Sequence, residues 1–178
     1  MANSFRVVLL CLTLAGATEV SAQLIVVYSV DGWPRMGTRA DGKLEAQTFS
    51  FGVQHPAPAA PGAAAGRVNV NDFHMTIQDG DATHQFLRAA LPGQPLKSVL
   101  IEHQLANATK GAPAPFAIRL LDVWVTSVQV GGNSGPEGYA SVSLQAGRIE
   151  FFNTVQGPSG KPGPVNRLGY DVRSGKIF

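Results

Sequence analysis

The segment from Phe116 to Val130 holds the longest apolar strand pattern of the sequence, and it limits the possible folds more than any other feature. Val123 and Val125 occupy odd positions, whereas Leu120 and Val128 occupy even ones. Because successive side chains of a strand point to opposite faces, both faces of this strand are apolar. We therefore expect both faces to be covered, by the core on one side and by a helix or a partner on the other.

Several other segments alternate apolar and polar residues with the period of a strand, and Gly/Pro turns separate them. One segment, Ala82–Leu91, instead has an apolar stripe with helical spacing, and Asp81 is its predicted N-cap. The predicted fold class is mainly β, a compact antiparallel β-barrel or sandwich of roughly seven or more strands with one flanking α-helix. The helix stripe consists of Phe86, Leu87, Ala90 and Leu91. The predicted strands cover residues 24–30, 43–53, 67–77, 97–105, 116–130 and 139–155, with a last strand through 168–172.

The alternation changes phase within Arg67–Ile77. Val70 occupies an even position, whereas the following apolar residues Phe73 and Met75 occupy odd ones. One extra residue in a strand produces such a change, so we predict a β-bulge at Asn71-Asp72.

The stretch Gln54–Gly66, which precedes this strand, is rich in Ala, Pro and Gly and contains no Lys, Arg, Asp or Glu. The prolines at positions 56, 58 and 61 oppose both a helix and a regular strand ladder. Two interpretations stay open: a linker between strands, or a loop that packs against a neighbouring copy of the chain. The second interpretation is supported by the length of the stretch, because loops this long inside a compact domain are uncommon without a function.

The first 22 residues have the three parts of an export signal. Met1–Arg6 carries one positive charge, Val7–Ala17 is apolar, and Val20-Ser21-Ala22 forms a small-residue cleavage site. We predict cleavage after Ala22 and one domain over residues 23–178. The expected location of the protein is therefore secreted or periplasmic.

No catalytic constellation is evident in the sequence, and we predict a non-enzymatic protein without catalytic, cofactor-binding or metal-binding residues. The single cysteine, Cys11, lies in the predicted signal, and the four histidines lack metal-ligand spacing. The formal net charge of +2 with scattered charges favours neither nucleic acid nor, after signal cleavage, a membrane as partner. A hydrolase that uses Asp122 or Glu150 with a strand histidine is a third hypothesis. Trp33 and Trp124 are candidate sugar-binding aromatics, but the apolar strand around Trp124 favours a core position.

A series of short motifs is similar in order and spacing to the Hcp family, the ring-forming tube protein of type VI secretion systems. The similarity runs from about Val30 to the C-terminus. Each motif alone is weak, and their shared order over the domain makes the resemblance specific. The motifs are Asp31-Gly32, Thr48–Gly52, Gly66–Asp72, Leu121–Val128 followed by Gly131-Gly132, Val142–Leu144, Ile149–Phe151, and Gly163–Val165 followed by Gly169–Val172.

The resemblance implies a β-barrel that assembles into hexameric rings, which stack into a hollow tube that is expelled and carries effectors in its lumen. The implied partners are other copies of the chain, secreted effectors and other type VI secretion components. Head-to-tail rings of this kind need two complementary surfaces on each subunit. The resemblance also implies an extended loop that contacts the neighbouring subunit or ring. Its residues are Gln54, His55, Pro56, Pro58, Pro61, Gly62, Gly66 and Arg67.

Two features depart from the family pattern. Phe51 stands where tryptophan is usual, and family members normally lack a cleavable signal because the tube assembles in the cytoplasm. The alternative function is therefore an exported Hcp-like β-domain that acts as a monomeric or small-oligomer binding module outside the cytoplasm.

Overall fold

The structure is a computed structural model, and it describes residues 24–37, 39, 41–57, 66–106, 113–132, 138–156 and 162–178. The predicted signal, residues 1–22, lies outside these ranges. The described residues form mostly strands with one helix, which confirms the predicted fold class. The elements are β1 Leu24–Val30, β2 Leu44–Ser50, β3 Val53–Gln54, β4 Asn69–Val70, β5 Phe73–Gln78, α1 Asp81–Ala90, β6 Leu96–Leu105, β7 Phe116–Gly131, β8 Tyr139–Gln156, β9 Pro162–Asp171 and β10 Lys176–Ile177.

Eight of the strands form one antiparallel sheet, which closes because β7 and β8 also pair with each other. The barrel runs in the order β8-β5-β2-β1-β6-β7, and β9 and β10 continue outward from β8. Each barrel strand therefore has a neighbour on both sides, which removes the open edges that promote aggregation. The two short strands β3 and β4 form a separate ladder.

Strand β8 belongs to both parts of the sheet. Its first half pairs with β5 and its second half with β9, while β7 pairs along its whole length. The buried positions change from even, as at Leu144, to odd, as at Ile149. At this point Asp122 of β7 has a positive φ of 53°, and a Cβ on the opposite residue, Gly147, would lie 3.2 Å from its Cβ. Strand β8 is thus continuous but changes phase and partner at residues 146–147.

The barrel interior holds the hydrophobic core. On β5, Phe73, Met75 and Ile77 are all buried while the residues between them are not, so the phase predicted for this strand is confirmed. Burial raises the pKa of the Tyr28 hydroxyl above its ordinary value, which keeps the group neutral. The largest fully buried side chains are Tyr28, Phe73, Phe86, Met75, Ile77, Ile101, Ile118, Leu120, Leu144 and Ile149.

Helix α1 packs on the barrel with a face that differs from the predicted one. The predicted N-cap is wrong, because Gly80 is the N-cap and Asp81 is the first helical residue. Of the predicted stripe, Phe86 is fully buried, whereas Leu91 is 85% exposed. Small side chains next to Phe86 let the helix approach the barrel, so Phe86 reaches the rings of Trp33 and Tyr28. The buried helical residues are Ala82, Thr83, Phe86 and Ala89.

Two predicted strands each divide into a barrel strand and a short outer strand. The strand predicted over 43–53 ends at Ser50 and resumes in β3, and the strand predicted over 67–77 breaks between β4 and β5. The prediction of a bulge at Asn71-Asp72 is therefore wrong. These two residues instead connect β4, which pairs with β3, to the barrel strand β5. The N–H of Asn71 donates to the carbonyl of Gly52 at 2.9 Å and holds the two breaks together.

Candidate subunit-contact arm

Two chain segments leave the barrel side by side, and we call them the arm, residues 51–57 and 66–72. Their central strands β3 and β4 pair antiparallel, with Gln54 opposite Asn69. A two-stranded ladder alone is marginally stable in water. The arm therefore depends on contacts that attach its base to the barrel.

The first segment is attached by the aromatic ring of Phe51. Its centroid lies 4.7 Å from that of Phe73, with the two rings nearly parallel, and 5.6 Å from that of Phe151. Such stacked pairs contribute roughly 0.5–1.5 kcal/mol each beyond the burial of their area. Phe51 is partly buried against the core, so the residue that departs from the family pattern still anchors this segment.

The second segment is attached by Arg67. Its Nη2 donates to the carbonyl oxygens of Val172 at 3.0 Å and Arg173 at 2.6 Å, which lie more than one hundred residues further along the chain. These carbonyls belong to the turn between β9 and β10, where Asp171 Oδ1 accepts a hydrogen bond from the N–H of Ser174 at 2.6 Å. That bond holds the pKa of the Asp171 carboxyl below its ordinary value. The turn is thus held rigid by its own carboxylate where Arg67 binds it.

A third attachment links the arm to β7. The hydroxyl of Thr126 donates to Asp72 Oδ2 at 2.7 Å. The amide side chain of Asn71 lies close to Gly52, where a Cβ would be 3.0 Å from its Nδ2. Any side chain at Gly52 would therefore press on Asn71 and disturb the base of the arm.

The outer part of the arm is accessible to a partner. Val53 is 54% exposed. A Cβ on Gly66 would lie 3.0 Å from the Pro56 Cβ, so the two segments approach closely beyond the ladder. The other predicted contact residues Pro58, Pro61 and Gly62 lie outside the described residues. The predicted contact residues Gln54, His55, Pro56, Gly66 and Arg67 are all exposed.

The sequence reasoning included Arg67 but gave it no partner, and it missed Asp72 and Thr126 as attachment residues. Arg67 and its acceptors are backbone and side-chain groups far apart in the sequence. Every residue has a backbone carbonyl, so the sequence does not indicate which carbonyls accept from Arg67. The folded structure is needed to identify them. Asp72 and Thr126 are likewise far apart in the sequence, and no local sequence pattern indicates that their side chains form a hydrogen bond.

The carboxylates considered for a hydrolase are bound by arginines. Glu150, which is 5% exposed, pairs with Arg119 at 3.4 Å and with Arg167. Asp122 pairs with Arg148 at 3.2 Å. Both carboxylates are thus engaged in ion pairs with arginines of the neighbouring strands.

The strand histidines have other partners. The ring of His103 lies edge-on to Phe49, with the centroids 5.1 Å apart, and near Phe116 at 5.8 Å. His74 Nδ1 lies 2.9 Å from the hydroxyl oxygen of Ser143. Within the described part of the chain, no group of three or more His, Cys, Asp and Glu side chains has the arrangement of a metal site.

The comparisons with known proteins agree with this architecture. A family model described as "Type VI secretion system effector, Hcp" matches residues 35–152. A solved structure of a type six secretion system protein has a TM-score of 0.77 at 17% identity and covers 88% of this chain and 100% of its own. Hcp1 from Salmonella typhimurium gives 0.69 at 15% identity, covering 87% and 99%, and a type VI secretion system effector from Yersinia pestis gives 0.62 at 17%, covering 83% and 99%. No curated protein matches the chain in sequence.

At these identities the solved structures support the fold alone, whereas the family model spans more than half of the chain. In the ranges that the structure describes, no helix has the length and hydrophobicity to cross a membrane. The predicted resemblance is confirmed by both comparisons. The chain belongs to the Hcp family of type VI secretion system effectors.

Proposed function

We propose that this protein is a non-enzymatic structural subunit that forms hexameric rings, which stack into an expelled tube able to carry effectors. The observation that carries the proposal is the arm, a projecting ladder held to the barrel at three places. A rigid, exposed projection loses little conformational entropy when a neighbour binds it, and such preorganisation favours assembly. Its partners are other copies of the chain, the effectors in the lumen and other type VI secretion components.

The charges of the arm fit this role. Among its described residues, Arg67 and Asp72 are the charged side chains, and both are engaged at the base. The exposed outer residues are uncharged, with Val53 and Pro56 offering apolar area. The centres of protein interfaces are depleted in charge, so this part suits burial against a second subunit.

The test is the oligomeric state of the protein that begins at Gln23. We expect six-fold rings in negative-stain electron microscopy and a hexamer mass in light scattering. Replacing Val53 with Glu puts a charge into the proposed contact and should weaken the assembly, whereas Leu91→Glu changes an exposed helix residue away from the arm. A strictly monomeric protein at millimolar concentration would exclude the ring.

We also propose that the protein is exported, with cleavage after Ala22. The support is the three-part sequence of the first 22 residues. The N-terminal mass of the native protein tests this proposal, and a start at Met1 would refute it. Export places the protein outside the compartment in which family tubes assemble. A second candidate is therefore an exported monomeric or small-oligomer binding module, and the exposure of Trp124, which is 44% accessible instead of buried, favours a binding surface.

A further inference from the structure

We propose that one outer face of the barrel binds a neutral polysaccharide. The face lies on β2, β5, β8 and β7, on the side of the sheet opposite the core, and it is separate from the arm's exposed end. The proposal does not depend on ring assembly, because each subunit carries the whole face.

The face is a lattice of hydroxyl, amide and imidazole groups in direct cross-strand register. Neighbouring strands lie about 4.8 Å apart, and same-face residues along a strand about 6.7 Å apart, so the groups form a regular grid. All of these side chains can donate or accept hydrogen bonds, as the hydroxyl groups of sugars do. One row is Ser50, His74, Ser143 and Ser127, and the next is Thr48, Thr76, Ser141 and Gln129. We call these eight residues the hydroxyl face.

An exposed aromatic ring lies at each end of the hydroxyl face. Tyr139 is 45% exposed, and its ring covers Gly131, since a Cβ on that glycine would lie 2.7 Å from the Tyr139 Cζ. Trp124, opposite Gln145, is 44% exposed at the other end. Along β8 the two ring positions, Tyr139 and Gln145 opposite Trp124, are six residues apart, which is about 20 Å. Aromatic faces pack on the apolar faces of sugar rings, and the polar groups between the two rings suit the hydroxyls of a connecting chain.

The charge of the face selects the class of ligand. None of its eight residues is Lys, Arg, Asp or Glu, and the ion pairs of the described residues lie elsewhere. The nearest carboxylate along the chain is Asp72, which already accepts from Thr126. An uncharged face gives no electrostatic gain to an acidic or basic partner. Dispersed hydroxyls also lack the apolar centre that a protein partner needs, so a neutral glycan is the complementary ligand.

Affinity gel electrophoresis tests the proposal with the purified protein and three neutral soluble polysaccharides, a mixed-linkage β-glucan, a galactomannan and a dextran. We expect at least one to retard the protein, with an affinity that falls roughly tenfold in Trp124→Ala and in Tyr139→Ala. Gly131→Ala should also weaken binding, because its methyl group displaces the Tyr139 ring. Leu91→Ala removes an apolar side chain that is more exposed than either ring but lies on the helix, and it should leave the retardation unchanged.

Each other outcome overturns the proposal. Absence of retardation by all three polysaccharides would refute it, as would retardation that persists in the double variant Trp124→Ala/Tyr139→Ala. Retardation only by a carboxylated polysaccharide would assign the effect to charge and refute a neutral site. The melting temperature of each variant is measured in parallel, and Gln129→Ala, which keeps both rings, serves as a second variant should either aromatic replacement unfold.

Discussion

The attachment of the arm through Arg67 leads to a quantitative prediction. Arg67→Ala removes two hydrogen bonds from a charged donor to the carbonyls of Val172 and Arg173. Hydrogen bonds to charged groups contribute roughly 1.5–3 kcal/mol. Both partners are near the surface, where water replaces much of this, so we expect about 1–2 kcal/mol for the pair. The loss acts on the opening of the arm and not on the barrel.

A free-energy change of this size corresponds to a roughly 5- to 30-fold shift in the equilibrium between the closed and the open arm. Native-state hydrogen exchange measures it through the amide of Asn71, which donates to Gly52 in the base of the arm. We expect this amide to exchange about tenfold faster in Arg67→Ala, while the central amides of β6 keep their rates. In Arg67→Lys the exchange rate of the Asn71 amide should lie between those of the wild type and Arg67→Ala, because lysine keeps the charge but lacks the forked guanidinium donor.

Arg173→Ala is the matched control. It removes a positive charge from the same turn but keeps the backbone carbonyl that accepts from Arg67. Unchanged exchange at Asn71 in Arg67→Ala would refute the attachment, and equal acceleration in Arg173→Ala would assign the effect to charge. If the arm forms the ring contact, Arg67→Ala should also shift the protein towards monomers in light scattering, and Arg173→Ala should not.

Three further predictions concern the barrel. Phe86→Ala should lower the free energy of unfolding by about 3–5 kcal/mol in urea titrations, because its fully buried ring joins α1 to the core, whereas Leu91→Ala should change it by less than about 0.5 kcal/mol. The hydrogen bond from Lys97, together with its charge, lowers the pKa of Asp31, so this stabilisation is complete above the ordinary carboxyl pKa and is lost as the pH falls through the lowered one. The melting temperature should therefore fall more steeply below pH 4 in the wild type than in Lys97→Ala, and parallel curves would contradict this. Glu150→Gln should cost about 1–2 kcal/mol, since it leaves two arginines facing each other, and the cost should shrink in high salt; a salt-independent difference would argue against charge repulsion.

The alternation of side chains predicted the barrel strands because apolar residues recur at every second position, which is the period of a β-strand. It predicted the odd phase of Phe73 and Met75, and it located the point at which the chain leaves β4 for β5. It failed for Trp124, which is exposed. The reason is Asp122, whose left-handed backbone conformation reverses the phase of β7 just before that residue. A single backbone dihedral of this kind leaves no trace in the pattern of apolar residues.

The helix was predicted with the correct length but with a rotated buried face. The predicted face placed Leu91 against the barrel because leucine is larger and more hydrophobic than alanine. The structure instead buries Ala82, Thr83 and Ala89 beside Phe86, and small side chains of this kind let a helix pack close to its neighbour. The choice between two apolar stripes thus depends on the distance between the packed elements, which the sequence of the helix alone does not contain.

The attachments of the arm were not predicted from the sequence. Prolines and the absence of charge marked residues 54–66 as unlike a regular strand. The carbonyls that accept from Arg67, by contrast, lie on a turn more than one hundred residues further along the chain. Only three-dimensional closure brings the two together.

The distance along the chain between Arg67 and its acceptors has a consequence for folding. Contacts between residues so far apart form late, because the chain must first lose the entropy of closing a long loop. The arm is therefore held in place only after β8, β9 and the turn that follows them have joined the barrel. In a partly folded chain the arm is unanchored, whereas in a completed barrel it is held at its base. Assembly through the arm would in this way discriminate finished subunits from unfinished ones.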